Sequence, residues 1–244
     1  MSWRCERNKC LRRNSRKLEL EFFFYDSTAF KRFLRDNPHE RGEVEFLESI
    51  LEEGMNAIDI GGHTGVTTVV IAKKIGGSGT LYSFEPVPEY FNILNKNVYR
   101  NGLKNVKTRQ LAVSDHIGTT NFYKNNASSS IVPQAGIPGF QVDTTTIDTF
   151  LKEENTERMD LINMDCEGSE LFVLKGAERT LRRNKNKIKI FCEVHHSMLR
   201  DLGISVQDLV KYLQELGLQV HSVSLTDLSV GGNFEECDYI YAYS

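Results

Sequence analysis

Short apolar runs alternate with segments of helical periodicity along this chain from Met55 onward. The short runs have the length of buried strands, and the longer segments place apolar residues on one helical face. The predicted strands are 55–60, 79–84, 106–113, 159–165, 187–194, 218–224 and 237–243. The predicted helices are 65–76, 87–101, 146–154, 169–184 and 205–216. This alternation predicts an α/β fold with helices on both faces of a parallel sheet.

The last two predicted strands are joined by a polar segment, residues 225–236, which contains Gly231, Gly232 and Asn233. Such a turn allows 218–224 and 237–243 to pair in antiparallel fashion. We therefore expect a seven-stranded, mostly parallel sheet with one antiparallel edge strand.

Two parts of the chain fall outside this alternation. Residues 1–54 comprise a basic arm, with seven basic residues and one acid in 1–17, and a helical preamble that we expect to pack on the domain of residues 55–244. The segment 125–140 is rich in Asn, Ser, Gly and Pro. A long loop inside a compact domain is usually either functional or disordered, and we favour substrate capture, with 120–145 and the preamble forming the acceptor pocket.

Composition limits the possible settings of the protein. The formal net charge of −3 over 244 residues gives no reason to expect binding to nucleic acid, although the basic arm leaves a polyanion contact open. No apolar run is long enough for a membrane span, and no secretory signal is present. The five cysteines are scattered, and the Cys5–Cys10 pair lacks a second ligand pair. We expect reduced thiols and a cytoplasmic location.

The turn after the first predicted strand contains Gly61, Gly62 and Gly65, preceded by Asp59. Glycines between a strand and a helix let backbone N–H groups approach a ligand. The spacing is not that of the dinucleotide fingerprint, because position 60 is Ile. An acid at Asp59 suits a ligand that carries ammonium and sulfonium charges rather than a pyrophosphate.

Acids also end the next two strands. Glu85 lies 20 residues after Gly65, the position at which a ribose-binding carboxylate is expected in a nucleotide-binding βαβ unit. Ser114 and Asp115 follow the third strand, where Asp115 could reach an adenine amino group or could form an Asx turn.

The segment 159–170 ends a strand in acid, with Asp165, Glu167 and Glu170 around Gly168. The carboxyl end of a strand in an open α/β sheet is where ligands bind, so Asp165 and Glu167 are predicted to face a cleft. Glu170 lies in the first turn of the next helix, and we expect it to interact with the helix dipole.

Residues 55–196 resemble the FkbM-type family of S-adenosylmethionine-dependent methyltransferases. The resemblance is carried by AIDIGGHTG, the FEP run at 84–86, LAVSD and the MDCEGSE run at 164–170. It implies a Rossmann-like class I methyltransferase fold, S-adenosyl-L-methionine as cofactor, and methyl transfer to a hydroxyl of a small molecule or sugar.

The family resemblance assigns roles to individual residues. The resemblance implies that the cofactor is bound by Asp59, Gly61, Gly65, Glu85, Ser114 and Asp115. Gly62 and His63 lie in the same loop and are included in the predicted cofactor site. His63 stands where the family commonly has Asn, and Asn163 stands where it commonly has Lys. The second difference removes a cation beside the carboxylates, so a Lys base is not expected here.

An alcohol is a poor nucleophile, and two hypotheses account for its activation. In the first, Asp165 or His195 is the general base and Glu167 orients the acceptor. In the second, Asp165, Glu167 and Glu193 bind Mg²⁺, which polarises the hydroxyl. The alternatives to this enzyme are a nucleic-acid methyltransferase and a protein that binds cofactor without turnover.

Overall fold

The computed structural model describes residues 24–125, 128–133, 136–235 and 237–244. The predicted basic arm, with Cys5 and Cys10, lies outside the described residues. The helices in the described part are α1 (Thr28–Asp36), α2 (Pro38–Ile50), α3 (Val66–Ile75), α4 (Pro88–Arg100), α5 (Ile147–Glu153), α6 (Glu170–Lys175), α7 (Glu178–Asn184), α8 (His196–Asp201) and α9 (Val206–Glu215).

The strands in the described part are β1 (Asn56–Ile60), β2 (Thr80–Phe84), β3 (Val106–Arg109), β4 (Ala112–Val113), β5 (Gly118–Asn125), β6 (Ser128–Ser130), β7 (Gly139–Thr145), β8 (Leu161–Met164), β9 (Lys189–Glu193), β10 (Gln219–Val223), β11 (Val230–Gly231) and β12 (Tyr239–Tyr243). The main sheet has the order β11-β10-β12-β9-β8-β1-β2-β3. The pairs from β9 through β3 are all parallel. The predicted α/β fold with a mostly parallel sheet is therefore confirmed.

The main sheet differs from the prediction in its edge. β12 is antiparallel to both β9 and β10 and lies between them, while the short strand β11 forms the edge. Burial explains the position of β12, because Tyr239, Ile240 and Ala242 are all buried and need cover on both faces. β10 begins with the exposed Gln219, so it needs less cover and can lie nearer the edge of the sheet.

A second sheet, of order β4-β7-β5-β6, is formed by strands between residues 112 and 145 and includes part of the segment 125–140 that was expected to be a loop. It has its own small core of Ala112, Phe122 and Val142. The predicted strand 106–113 is divided, because β3 pairs with β2 whereas β4 pairs with β7. The chain thus leaves the main sheet after β3 and covers its carboxyl edge before returning through α5.

Alternate residues of the strands face two apolar clusters on opposite sides of the main sheet. Ile58 and Ile60 belong to one cluster, and Ala57 belongs to the other together with Phe46 and Leu47 of α2. The ring of Phe46 stacks on Phe191 of β9 with centroids 4.7 Å apart. Helix α2 is therefore part of the layer that covers one face of the sheet.

The predicted helix 169–184 is divided into α6 and α7 near Gly176. A Cβ on Gly176 would lie 2.1 Å from the carbonyl oxygen of Ser114, so the chain after β4 passes too close for a side chain there. None of the helices in the described part of the chain has the length and apolar character to cross a bilayer.

Candidate functional site

A cavity lies at the carboxyl ends of β1, β2 and β8, beneath the second sheet. Five of the predicted site residues line it: Gly61, His63, Glu85, Asp165 and Glu167. Its remaining wall is mostly apolar and aromatic and includes Phe84, Tyr90, Leu111 and Phe122. Both the acids and the flat apolar surfaces needed for a nucleoside are thus present in one cleft.

Glu85 is held at the cavity by two backbone donors. The N–H of His63 donates to its Oε2 and the N–H of Val87 donates to its Oε1, both at 2.8 Å. Burial raises the pKa of Glu85 to about 7, although the two N–H groups act in the opposite direction. Each oxygen retains a further lone pair, so the carboxylate can still accept hydrogen bonds from a diol.

The glycine loop is shaped chiefly by contacts within the protein. Gly61 has φ +83°, and a Cβ there would lie 1.8 Å from the carbonyl oxygen of Asp165. A Cβ on Gly62 would lie 2.5 Å from Oγ of Ser83. A Cβ on Gly65 would lie 2.9 Å from Cδ1 of Leu94. These glycines let the loop pack closely on its neighbours, and the approach of the loop to a ligand stays a prediction.

Asp59 lies behind the cavity wall and is 1% exposed. Its Oδ1 accepts a hydrogen bond from Nδ2 of Asn163 at 2.8 Å, and Thr67 and Thr68 of α3 donate to the same carboxylate. Burial raises its pKa, although these donors act in the opposite direction. Asp59 therefore joins β1 to β8 and α3, and its role as a direct cofactor ligand stays a prediction.

Ser114 and Asp115 do not line the cavity in the described residues. The N–H of Ser114 donates to the carbonyl oxygen of Thr145. Asp115 pairs instead with Nδ1 of His116 at 2.9 Å on the surface. Leu111, Ala112 and Val113, just before them, line the cleft. The predicted role of Ser114 and Asp115 at the adenine edge therefore stays a prediction.

A group of ionisable side chains, the acid–histidine cluster, adjoins the far end of the cavity. Its members are Asp165, Glu167, Glu170, Glu193 and His195. Nε2 of His195 lies 3.5 Å from Asp165, 3.5 Å from Glu167 and 3.9 Å from Glu193. Nδ1 of His195 lies 2.8 Å from Oε1 of Glu170. The ends of β8 and β9 lie side by side, which brings these residues together.

The electrostatics of this cluster bear on the proposed base. Burial lowers the pKa of His195, but its bond with Glu170 and the charges of Asp165, Glu170 and Glu167 outweigh burial and raise that pKa to about 10. A protonated ring cannot accept the proton of an alcohol, so a base role would require His195 to lose that proton first, and the role stays a prediction. Burial raises the pKa of both Asp165 and Glu193 to about 7.

Several members of the site were not predicted from sequence. Glu170, expected to act on the helix dipole, is fully buried, and its Oε1 accepts a bond from the N–H of Gly168. Tyr239 donates to Oε2 of Glu193 at 2.8 Å. Glu43 of α2 is buried near the same carboxylates, and burial raises its pKa well above the usual value. Tyr239 and Glu43 could not be recognised from the sequence, because they reach the site only through the packing of β12 and α2 on β9.

The second sheet is attached directly to the acidic end of the cavity. Oγ of the buried Ser130 donates to the carbonyl oxygen of Glu167 at 2.7 Å. Glu167 has φ +50°, an uncommon conformation for a residue with a side chain. The contact therefore fixes the backbone of Glu167, and Ser130 was not among the predicted site residues.

Comparisons with known proteins agree with this geometry. The model of the family described as the methyltransferase FkbM domain matches residues 59–220. Methyltransferase 1 of Beauveria bassiana (strain ARSEF 2860) is 27% identical in an alignment that covers 58% of this chain and 70% of that protein. Hexuronic acid methyltransferase AglP of Haloferax volcanii is 23% identical over 189 residues, 76% of this chain and 73% of that protein.

Solved structures show the same fold. A provisionally assigned O-methyltransferase from Klebsiella pneumoniae superposes with a TM-score of 0.51 and 15% sequence identity. The superposition covers 89% of this chain and 90% of that chain. At this identity the likeness concerns the fold alone.

Proposed function

The chain belongs to the FkbM family of S-adenosylmethionine-dependent methyltransferases, and we propose that it methylates a hydroxyl group of a small molecule or sugar. The relative from Haloferax volcanii is named for methyl transfer to a hexuronic acid, which supports a sugar as acceptor. The fold is that of the class I methyltransferases.

The cavity fits the cofactor that the family uses. Glu85 would accept hydrogen bonds from the two ribose hydroxyls, and the apolar surfaces of Leu111, Val113 and Phe122 would cover a flat base. Asp165 and Glu167 lie at the acidic end, where an ammonium or sulfonium charge is favoured. The bound cofactor supplies a methyl group whose C–S bond breaks, with its electron pair passing to sulfur, as the new C–O bond forms.

One observation carries the proposal: Asp165 belongs both to the cofactor cavity and to the acid–histidine cluster. Its Oδ1 is buried and has no hydrogen-bond partner among the described residues. A carboxylate at this point can act on an acceptor hydroxyl next to the methyl group, because the reacting oxygen must lie about 3 Å from that carbon. Asp165 would take the proton itself or help to hold a cation that acidifies the hydroxyl.

The test is turnover of Asp165→Asn on hydroxylated acceptors. Release of S-adenosylhomocysteine is measured with methyl glycosides of hexoses and of hexuronic acids as candidate acceptors. We expect turnover to fall by about a hundredfold or more, with saturable cofactor binding still measured by calorimetry. The matched control is Asp201→Asn at the exposed end of α8, which should keep full turnover. Normal turnover by Asp165→Asn would refute this role.

A further inference from the structure

The acid–histidine cluster has the spacing of a metal site. One ligand atom each from Asp165, Glu167 and His195 lies within 4.8 Å of the other two. Nε2 of His195 is 3.5 Å from a carboxylate oxygen of each acid. A first-row metal ion binds such atoms at about 2.0–2.2 Å, which puts neighbouring ligand atoms about 3–3.5 Å apart. Small side-chain adjustments would therefore complete a coordination sphere.

His195 is oriented as metal-bound histidines usually are. Its Nδ1 lies 2.8 Å from Oε1 of Glu170, and this carboxylate is fully buried and fixed by the N–H of Gly168. A carboxylate on one ring nitrogen fixes the ring and directs the other nitrogen at the ion. In this protein that other nitrogen, Nε2, faces Asp165 and Glu167.

Two buried oxygens in the cluster have unused hydrogen-bonding capacity. Oδ1 of Asp165 and Oε2 of Glu170 are buried and have no hydrogen-bond partner among the described residues. Oδ1 of Asp165 also lies 3.5 Å from Nε2 of His195. A buried carboxylate oxygen without a hydrogen-bond partner lowers the stability of the folded protein. A cation at this point would satisfy Oδ1 directly.

The acid–histidine cluster contains more acidic than basic groups. Four carboxylates surround a single imidazole. Within the described part of the chain, Asp165, Glu170 and Glu193 have ion pairs with histidine but none with Lys or Arg. Negative charges at close range repel one another unless a cation lies between them. The protein therefore concentrates negative charge where a divalent ion would be held.

We propose that Asp165, Glu167 and His195 bind one divalent transition-metal ion, of the Mn²⁺ or Zn²⁺ class, with Glu170 orienting His195. An imidazole ligand favours these ions over Mg²⁺, which prefers oxygen ligands. This ligand set differs from the Mg²⁺ site of the second hypothesis drawn from the sequence, in which Glu193 took the place of His195. Binding of the ion does not depend on the proposed function, whereas a role of the ion in polarising the acceptor hydroxyl rests on it.

The experiment measures ion binding by the full chain, without an acceptor. Protein treated with EDTA and dialysed is titrated with Mn²⁺, and free Mn²⁺ is followed by electron paramagnetic resonance. Zn²⁺ and Mg²⁺ are titrated separately by calorimetry. We expect one Mn²⁺ or Zn²⁺ per chain and weaker binding of Mg²⁺. Absence of saturable Mn²⁺ and Zn²⁺ binding up to about 1 mM would overturn the proposal.

Variants identify the ligands. His195→Ala and Asp165→Asn should each lower the affinity for the ion by about a hundredfold or more, and Glu170→Gln by about tenfold to a hundredfold. Glu178→Gln, at an exposed carboxylate on α7, is the matched control. Glu167→Gln repeats the test if His195→Ala does not fold. Equal affinity in the ligand variants and the control would refute this site.

The same EDTA-treated protein separates the two proposals. Calorimetry with S-adenosylmethionine reports on the cofactor cavity and does not require the ion. Retained cofactor binding with no ion binding would overturn the metal site and leave the methyltransferase proposal intact. Ion binding that is lost in His195→Ala supports the site even if none of the glycosides is methylated.

Discussion

Nδ2 of Asn163 lies 2.8 Å from Oδ1 of Asp59, and it donates a hydrogen bond between neighbouring strands of the main sheet. The two residues are opposite each other in the parallel pairing of β1 and β8, and both are almost fully buried. The bond gives Asn163, which stands where the family resemblance implies Lys, a structural role as a neutral donor to Asp59.

Removing this donor should destabilise the protein. Asn163→Ala leaves an oxygen of the buried Asp59 with one partner fewer, and we expect the free energy of unfolding to fall by about 1–3 kcal/mol. Urea unfolding measures the change. Asn121→Ala on the exposed side of β5 serves as the control and should change stability by less than about 0.5 kcal/mol. An equal loss in the two variants would contradict the role given to Asn163.

Cofactor affinity should depend on pH through Glu85. Its pKa of about 7 means that the carboxylate gains a proton as the pH falls through neutrality and then accepts hydrogen bonds less well. If the protonated form binds negligibly, the Kd for S-adenosylmethionine should rise about tenfold between about pH 8 and about pH 6. Calorimetry at several pH values measures this dependence.

Glu85→Gln is the control for this dependence. The variant should bind the cofactor more weakly at high pH, by about 1.5–3 kcal/mol, because a charged acceptor is lost. It should also lose the part of the pH dependence that the wild type owes to Glu85. An identical pH profile in both proteins would assign the titration to another group or to the cofactor.

The cofactor loop should not tolerate a side chain at Gly61. A Cβ there would lie 1.8 Å from a backbone oxygen of Asp165, and the residue has φ +83°. We expect Gly61→Ala to lower the free energy of unfolding by about 3 kcal/mol or more, measured by urea unfolding. Gly77→Ala, where a Cβ would meet nothing within 4 Å, should be nearly neutral. Comparable stability of the two variants would show that the loop can move away from Asp165.

Glu43 should make stability fall as the pH rises. Burial raises its folded-state pKa well above 4.5, so the folded protein holds a proton that the unfolded chain has released. The contribution of protonated Glu43 is therefore present at acidic pH and is lost as the pH rises from about 4.5 through the folded pKa. Glu43→Gln should gain stability relative to the wild type over that window.

Urea unfolding at about pH 5 and about pH 8 tests this difference. Glu45→Gln, at an exposed position on the same helix, is the matched control. A stability difference between wild type and Glu43→Gln that stays constant with pH would mean that Glu43 is ionised in the folded protein.

The alternation of strands and helices could be predicted from the sequence because each element has a clear local pattern of apolar residues. β1, β2, β8 and β9 are apolar runs that end in acid or glycine, and their order along the chain leads directly to a parallel sheet. The second sheet was missed because β5 and β7 are rich in Thr and polar residues and bury little of their surface. Their pairing depends on contacts made across the chain rather than on a local pattern.

The sequence by itself determined the fold class and the strand ends that carry Glu85, Asp165 and Glu167, because local periodicity and short motifs mark those positions. Tertiary structure alone decided which acids share a site. Asp59 is turned into the layer beneath the cavity, whereas Glu170 and His195 meet across β8 and β9 at 2.8 Å. The physical reason is that hydrogen-bond partners and burial are set by distances between strands and helices far apart in the chain, and no local pattern encodes those distances.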